Sequence, residues 1–190
     1  MLKIQPESIV IHAYYDGHVI RTAAVSTIGS FAMASGVVLA RIKACFKAPL
    51  RTAIWLQSPA NKASHGKIGA GREIDIAEIY TSRMPLAPAE VAHNIHSGGY
   101  GEMHQHTGSP TSKVHACQYH NYKAEFGEFG YKFYVDGELQ WQTGQSFQGH
   151  KEYIIFNVGT PAHLQYHWPS PRSLGFAKLI SVKVKETGNE

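Results

Sequence analysis

Short runs in which apolar and polar residues alternate, or in which β-branched residues crowd together, recur along the whole chain. They are SIVIHAYY, VIRTAAVST, GVVLARIKACF, AIWLQS, EIDIAEIY, AHNIHS, KFYVDGEL, YIIFNV and KLISVKVK, and each reads as a β-strand. Turn signals separate them: YDGH, KAPL, SPANKASHGKIGAG, SGGYGE, TGSPTS and VDGE. No sustained helical stripe of apolar residues is present, and only PLAPAEVAHN is predicted to make a short helical turn. The pattern predicts an all-β domain, a sandwich of two antiparallel sheets. The turn-rich stretch 58–72 is long for a loop in a compact domain and delivers the chain into EIDIAEIY, a place where function is expected.

Composition narrows the picture without directing it. A chain of 190 residues is sized for one domain, residues 1–190. With 43% hydrophobic and 17% charged residues it is ordinary for a globular protein, and no run approaches the ~20 apolar residues of a membrane span. No membrane partner is expected. The opening MLKIQPESIV interrupts its apolar run with proline and glutamate, unlike a secretory signal peptide. The net charge of +4 is spread out; Lys183 and Lys185, for example, alternate with valines as the wet face of a strand. Nucleic acid is therefore not an expected partner. Cys45 and Cys117 are too far apart for a CxxC motif and read as two buried free thiols.

The informative stretch is GREIDIAEIYTS. It holds Glu73, Asp75 and Glu78 on an otherwise apolar strand. Strand alternation puts Glu73 and Asp75 on one face and Ile74 and Ile76 on the other, and by the same count sends Glu78 inward with the isoleucines. One extra residue, a β-bulge around Ile76 and Ala77, restores the phase so that Glu78 rejoins the other two acids. Three carboxylates on one face repel, which raises at least one pKa and suits acid–base chemistry. A retaining glycosidase needs such a set: one ionised carboxylate to attack the anomeric carbon and one protonated carboxyl for the leaving oxygen. A solvated acidic face, or three ligands for a calcium ion, are the plainer readings of the same spacing.

The neighbouring segments extend the reading. The run Glu73-Ile74-Asp75-Ile76-Ala77-Glu78 resembles the bulged E-x-D-x-x-E signature of the family 16 glycoside hydrolases, the laminarinase and agarase group. AIWLQSP is similar to that family's A-F-W-L strand, HNIHSGGYGEMHQ to a segment that brings histidine and aromatics to the cleft, and YHNYKAEFGEFGYKFYVDGELQW to a segment crossing the back of the sandwich. The last keeps His120, Tyr122 and Glu125 and carries Phe126 in place of a tryptophan. The resemblance implies a jelly-roll sandwich with a concave carbohydrate cleft, and a retaining endo-glycosidase acting on a β-linked polysaccharide such as β-1,3-glucan or an algal galactan. It makes Glu73 the nucleophile, Asp75 its assistant and Glu78 the general acid/base, with Trp55, His96, Tyr100 and His104 contacting sugar. Trp168 is a further stacking candidate. No redox cofactor is implied, although a structural calcium ion fits the family. Secretion or periplasmic residence follows from the resemblance alone.

The chain also departs from the family. SGVVLAR, residues 35–41, stands where the family has Y-G-Y-F-E-A-R, losing two aromatics and a glutamate, and the closing strand is LISVKVK. The chain also looks short at its N-terminus, so an uncovered sheet edge is expected to favour oligomers. These departures sustain a second reading, a lectin-like module that binds carbohydrate without turnover. A jelly-roll polysaccharide lyase using His96 or a tyrosine is the third. His93, His96, His104 and His106 are close enough in sequence to suggest zinc, but alternation sends His93 and His96 to opposite faces, and no metal ligand is assigned. Arg72 is expected to be a strand-end charge pointing away from Glu73, Trp141 either to extend a stacking surface or to pack in the core, and Asp136-Gly137 to form a hairpin turn.

Overall fold

The computed structural model describes residues 1–5, 7–60, 72–82, 84, 86–101, 104–144, 150–161 and 168–187. Most of the long loop 58–72 therefore lies outside the described residues. Among the described residues there are fifteen strands: β1 (Leu2–Gln5), β2 (Ser8–Tyr15), β3 (Ile20–Arg21), β4 (Ala24–Ser26), β5 (Gly36–Phe46), β6 (Arg51–Gln57), β7 (Arg72–Tyr80), β8 (Ala89–Ser97), β9 (Gln105–Gly108), β10 (Ser112–Val114), β11 (Tyr119–Gly127), β12 (Gly130–Val135), β13 (Glu138–Thr143), β14 (Tyr153–Gly159) and β15 (Arg172–Glu186).

They form two antiparallel sheets. One runs β1-β2-β15-β5-β11-β12-β13 with β3 on β2; the other runs β10-β8-β7-β6-β14-β4 with β9 on β8. The inward-facing residues of both sheets make one core, in which Ile11, Val38, Ile42, Ile54, Leu56, Ile74, Ile76, Tyr122 and Phe133 are fully enclosed. The sandwich of two antiparallel sheets expected from periodicity, and the jelly roll implied by the resemblance, are the observed fold, and each predicted run lies wholly or partly in a strand. VIRTAAVST splits into β3 and β4, and KFYVDGEL is a hairpin whose turn places Asp136 and Gly137 at positive φ, 51° and 90°. Such left-handed pairs close two-residue hairpins without splaying the strands.

Three expectations are corrected. PLAPAEVAHN makes no helical turn over residues 89–94, which belong to β8, because pairing with β7 and the burial of Ala89 and Val91 outweigh local preference. The cysteines are not free: Cys45 and Cys117 form a disulfide. The register explains it. β11 runs antiparallel to β5 with Tyr119 opposite Lys43, so the chain two residues earlier comes opposite Cys45, and the Cys117 N–H donates to the Ala44 carbonyl at 2.9 Å. Arg72 does point away from Glu73, but it is buried rather than a solvated strand end. Its Nε and Nη2 donate to the two carboxylate oxygens of Glu152 at 2.6 and 2.7 Å, and Nη1 donates to the Tyr131 hydroxyl. Of the two readings of Trp141, core packing is the one found: it is partly buried on the core with its ring stacked on Phe133.

Candidate active site

β7 sits between β6 and β8, so most of its residues have a cross-strand neighbour on both sides. Counting along those neighbours exposes the irregularity. On β8, Asp75 pairs with Asn94 and Glu78 with Ala92, three steps against two; on β6, Asp75 pairs with Trp55 and Ala77 with Ile54, two steps against one. The extra residue lies at Ile76–Ala77, and both of these side chains are buried. The bulge therefore keeps Ile74, Ile76, Ala77 and Ile79 in the core while Glu73, Asp75 and Glu78 share one groove of about 550 Å³, with Arg51, Tyr80, Glu90, Asn94, His96 and His106 on its walls.

The three acids have different surroundings. At one end Glu73 stands opposite His96 on β8 and Gln57 on β6. His96 Nε2 lies 3.8 Å from Glu73 and 3.3 Å from Asp75. Burial, and then the neighbouring Asp75 charge, push the Glu73 carboxyl up to about 8. Asp75, 4% exposed, is raised too, by burial first and against the pull of His96. Burial alone would lower His96, but Asp75 and Glu73 outweigh it and hold the imidazole above its usual value. Three groups that each retain protons more strongly than usual behave as one proton-sharing unit.

At the other end Glu78 is held by donors. Arg51 Nη1 donates to Oε1 at 2.5 Å, and Asn94 Nδ2 and the Tyr80 hydroxyl donate to Oε2 at 2.7 and 3.0 Å. Burial lowers and Glu78 raises the Arg51 guanidinium, which ends above its ordinary value.

The other sequence-predicted residues fall unevenly around this groove. Trp55 shares the face of Asp75 and is pinned by its Nε1, which donates to Asn157 at 2.9 Å. His96 and His104 meet ring nitrogen to ring nitrogen at 2.9 Å, and Tyr100 lies beside His104 with its hydroxyl receiving a bond from Gln57. His93 and His96 do face opposite ways: His93 is in the core against Phe133, whereas His96 lines the groove. Trp168 is not brought to the groove; it packs on the buried Tyr15 of the other sheet. Residues 36–41 of the divergent SGVVLAR segment also belong to that other sheet, with Val38 and Ala40 in the core. A cavity of about 500 Å³ at the β11–β12 turn, beside Phe126 and Phe129, holds none of the predicted site residues.

Sequence reasoning missed Arg51, Tyr80 and Asn94, and weighed His106 only as a zinc ligand. Tyr80 reaches Glu78 along the same strand and His106 meets Asn94, whereas Arg51 and Asn94 reach Glu78 through strand register, each lying two residues beyond its cross-strand partners Ala53 and Ala92. Among the described residues, one grouping offers three metal-ligand atoms within 4.8 Å of one another, and it is Glu73, Asp75 and His96 themselves.

The sequence profile of Glycosyl hydrolases family 16 matches residues 8–169. The chain belongs to that family. Solved structures of family 16 fold superimpose along nearly its full length. An endo-glucanase from Bacteroides ovatus gives a TM-score of 0.75 at 15% identity, covering 97% of this chain and 84% of the other. A laminarinase catalytic domain from Thermotoga petrophila gives 0.74 at 20%, covering 99% and 81%, and a kappa-carrageenase from Zobellia galactanivorans gives 0.69 at 12%, covering 98% and 81%. At these identities the likeness shows a shared family 16 fold. No curated protein matches the chain by sequence. The bulge expected from the spacing of the three acids and the register shift of β7 are one feature.

Proposed function

We propose that the groove is the active site of a retaining endo-glycoside hydrolase acting on a β-linked polysaccharide. The observation that carries this reading is the bulge at Ile76–Ala77, which gives Glu73, Asp75 and Glu78 a common groove. Glu73 attacks the anomeric carbon as the bond to the leaving oxygen breaks, and Glu78 passes its proton to that oxygen. The product is a glycosyl ester on Glu73 and a departed sugar with a new hydroxyl. Glu78, now a carboxylate, takes a proton from water, whose oxygen attacks the anomeric carbon and frees Glu73. Asp75 and His96 hold charge and proton beside Glu73, and Trp55 offers the pyranose an aromatic face.

Burial makes Glu73 the carboxyl that keeps a proton up to about pH 8, while the donors converge on Glu78. The reactive arrangement has Glu73 ionised and Glu78 carrying the proton, so substrate has to meet or induce that form.

The half-buried disulfide supports residence in an oxidising compartment, outside the cytosol or in a periplasm. Among the described residues no helix is long and apolar enough to cross a membrane.

The test is reducing-end release from a panel of β-glucans and algal galactans. Glu73→Gln and Glu78→Gln should each lose nearly all turnover while keeping the fold and the ability to bind oligosaccharide, because these groups act in the transition state. Equal turnover by wild type and Glu73→Gln discards the mechanism. Wild-type binding without release on every polymer leaves the lectin-like reading in its place.

A further inference from the structure

Arg51 occupies an unusual place in this groove. It opens β6 and reaches diagonally to Glu78, while Asn94 makes the matching reach from β8. Between them, and with Tyr80, they occupy both oxygens of the residue that must protonate the leaving group. Oε2 accepts from two donors and Oε1 from one, so a glycosidic oxygen gains room at Glu78 when a donor withdraws.

The donors differ in their freedom to do so. Asn94 is braced through its own Oδ1, which meets His106 Nε2 at 3.0 Å, and Tyr80 belongs to the same strand as Glu78. Arg51 is partly exposed, with 39% of its side chain accessible against 9% for Glu78, and beyond Glu78 its hydrogen-bonding neighbour in the groove is Tyr80. Its Nε is enclosed and without a hydrogen-bond partner. Arg51 is therefore the donor that can yield.

Charge sharpens the point. To act as an acid Glu78 must be neutral, whereas a guanidinium stays charged at every working pH. In the reactive state Arg51 loses its counter-charge while still partly buried in the wall, an unfavourable situation unless another anion replaces it. Neutral sugar hydroxyls do not supply that charge. A sulfate ester or a ring carboxylate does, and offers two oxygens to a planar fork of N–H donors.

We propose that Arg51 is a specificity-determining residue that receives an anionic substituent, a sulfate ester or a uronate carboxylate, on the sugar bound beside Glu78, and in doing so frees Glu78 to act as the acid. The inference rests on the groove being the sugar site. Arg51 forms no covalent bond, and the hydrolysis step keeps the balance given above. Glu90 and Asp75 add selectivity, because an anion elsewhere along this wall meets like charge instead of the guanidinium.

The test compares a sulfated galactan oligosaccharide with its desulfated product, alongside an oligouronate and a neutral β-glucan oligosaccharide. Wild type should show kcat/KM at least about tenfold higher on one anionic substrate than on its neutral counterpart, and Arg51→Met should bring that ratio to within about twofold, with Arg51→Lys in between because it keeps charge but loses the fork. The sulfated and uronate arms tell which oxyanion is taken. Equal wild-type rates on charged and neutral partners, or a preference that persists in both variants, overturn the proposal. If no polymer is cleaved, the hydrolase reading has failed separately, and calorimetric binding of the same oligosaccharides decides for Arg51. A charged-over-neutral preference in wild type that the variants lose supports it, and its absence overturns it.

Discussion

Asp75 and Glu78 are three residues apart along β7 but only two apart when measured on β8, from Asn94 to Ala92. That mismatch lets one strand satisfy two incompatible demands. The isoleucines need the core, and the carboxylates need a polar groove where donors can reach them. A regular strand could not deliver both, because its side-chain period is fixed at two.

Adding a residue beside Ala77 should therefore do more harm than deleting Ala77. With Ala77 gone, Glu78 follows Asp75 by two positions in a regular strand and keeps the face of Glu73 and Asp75. One further alanine inserted after Ala77 instead adds a step that the bulge does not absorb, and turns Glu78 toward the interior away from Arg51 and Asn94. An unpaired buried carboxylate costs roughly 3–5 kcal/mol. Urea unfolding should show a loss of that order for the insertion variant, together with abolished turnover, and a smaller loss for the deletion. An insertion variant of wild-type stability would mean that the bulge does not set the orientation of Glu78.

The alternation of apolar residues was enough to foresee the sandwich, because core-facing positions on both sheets obey it closely. The misplaced phase of Glu78 was enough to foresee the bulge, because only an inserted residue reconciles that phase with Ile74 and Ile76. Pairing between distant strands left no such trace. β11 was not recognised as the partner of β5, so the meeting of Cys45 with Cys117 could not be seen. Arg72 looked like a strand end because its counter-ion, Glu152, is 80 positions away in the chain. Arg51 and Asn94 were hidden for the same reason: each reaches Glu78 across a strand boundary, and register is a property of the folded sheet.

The Arg72–Glu152 pair gives a second prediction. Both side chains are almost fully buried, at 3% and 0% exposure, and the two-oxygen fork is the geometry of an ionised carboxylate even though burial pushes the Glu152 carboxyl up to about 7. Arg72→Met strands Glu152 without a partner and should cost about 3–5 kcal/mol, whereas Arg72→Met with Glu152→Met should recover most of that loss, since no charge is left unpaired. Chemical denaturation of the two single variants and the double variant measures the coupling. Additive losses would show that the pair does not act as a unit.

The disulfide closes a separation of 72 residues, from β5 to the turn before β11. Restricting so long a loop in the unfolded chain stabilises the fold by about 2–5 kcal/mol. Replacing both cysteines by serine should lower unfolding free energy by that amount, and reductant should lower it in wild type but not in the variant. The groove lies on the other sheet, so turnover below the unfolding transition should change little. Identical unfolding curves with and without reductant would remove the disulfide from the account of stability.

The last prediction concerns pH, where stability and activity should move in opposite directions. The Glu73 carboxyl is raised from 4.5 to about 8, chiefly because burial disfavours its charge. The folded state thus binds a proton that the unfolded chain releases near 4.5. Its stabilising contribution is complete below that value, declines as pH rises, and is gone once pH passes the folded value, a swing on the order of a few kcal/mol. Attack on the anomeric carbon requires the same carboxyl to be ionised, so kcat/KM should climb toward pH 8 while the melting temperature falls. Glu73→Gln carries no such proton; its melting temperature should depend less steeply on pH between 5 and 8 than that of wild type. Parallel melting profiles for the two proteins, or an acidic limb of kcat/KM near 4.5, would place the proton on another member of the Glu73–Asp75–His96 unit. Asp75 would then be the group to titrate next, since it shares the burial and the histidine contact.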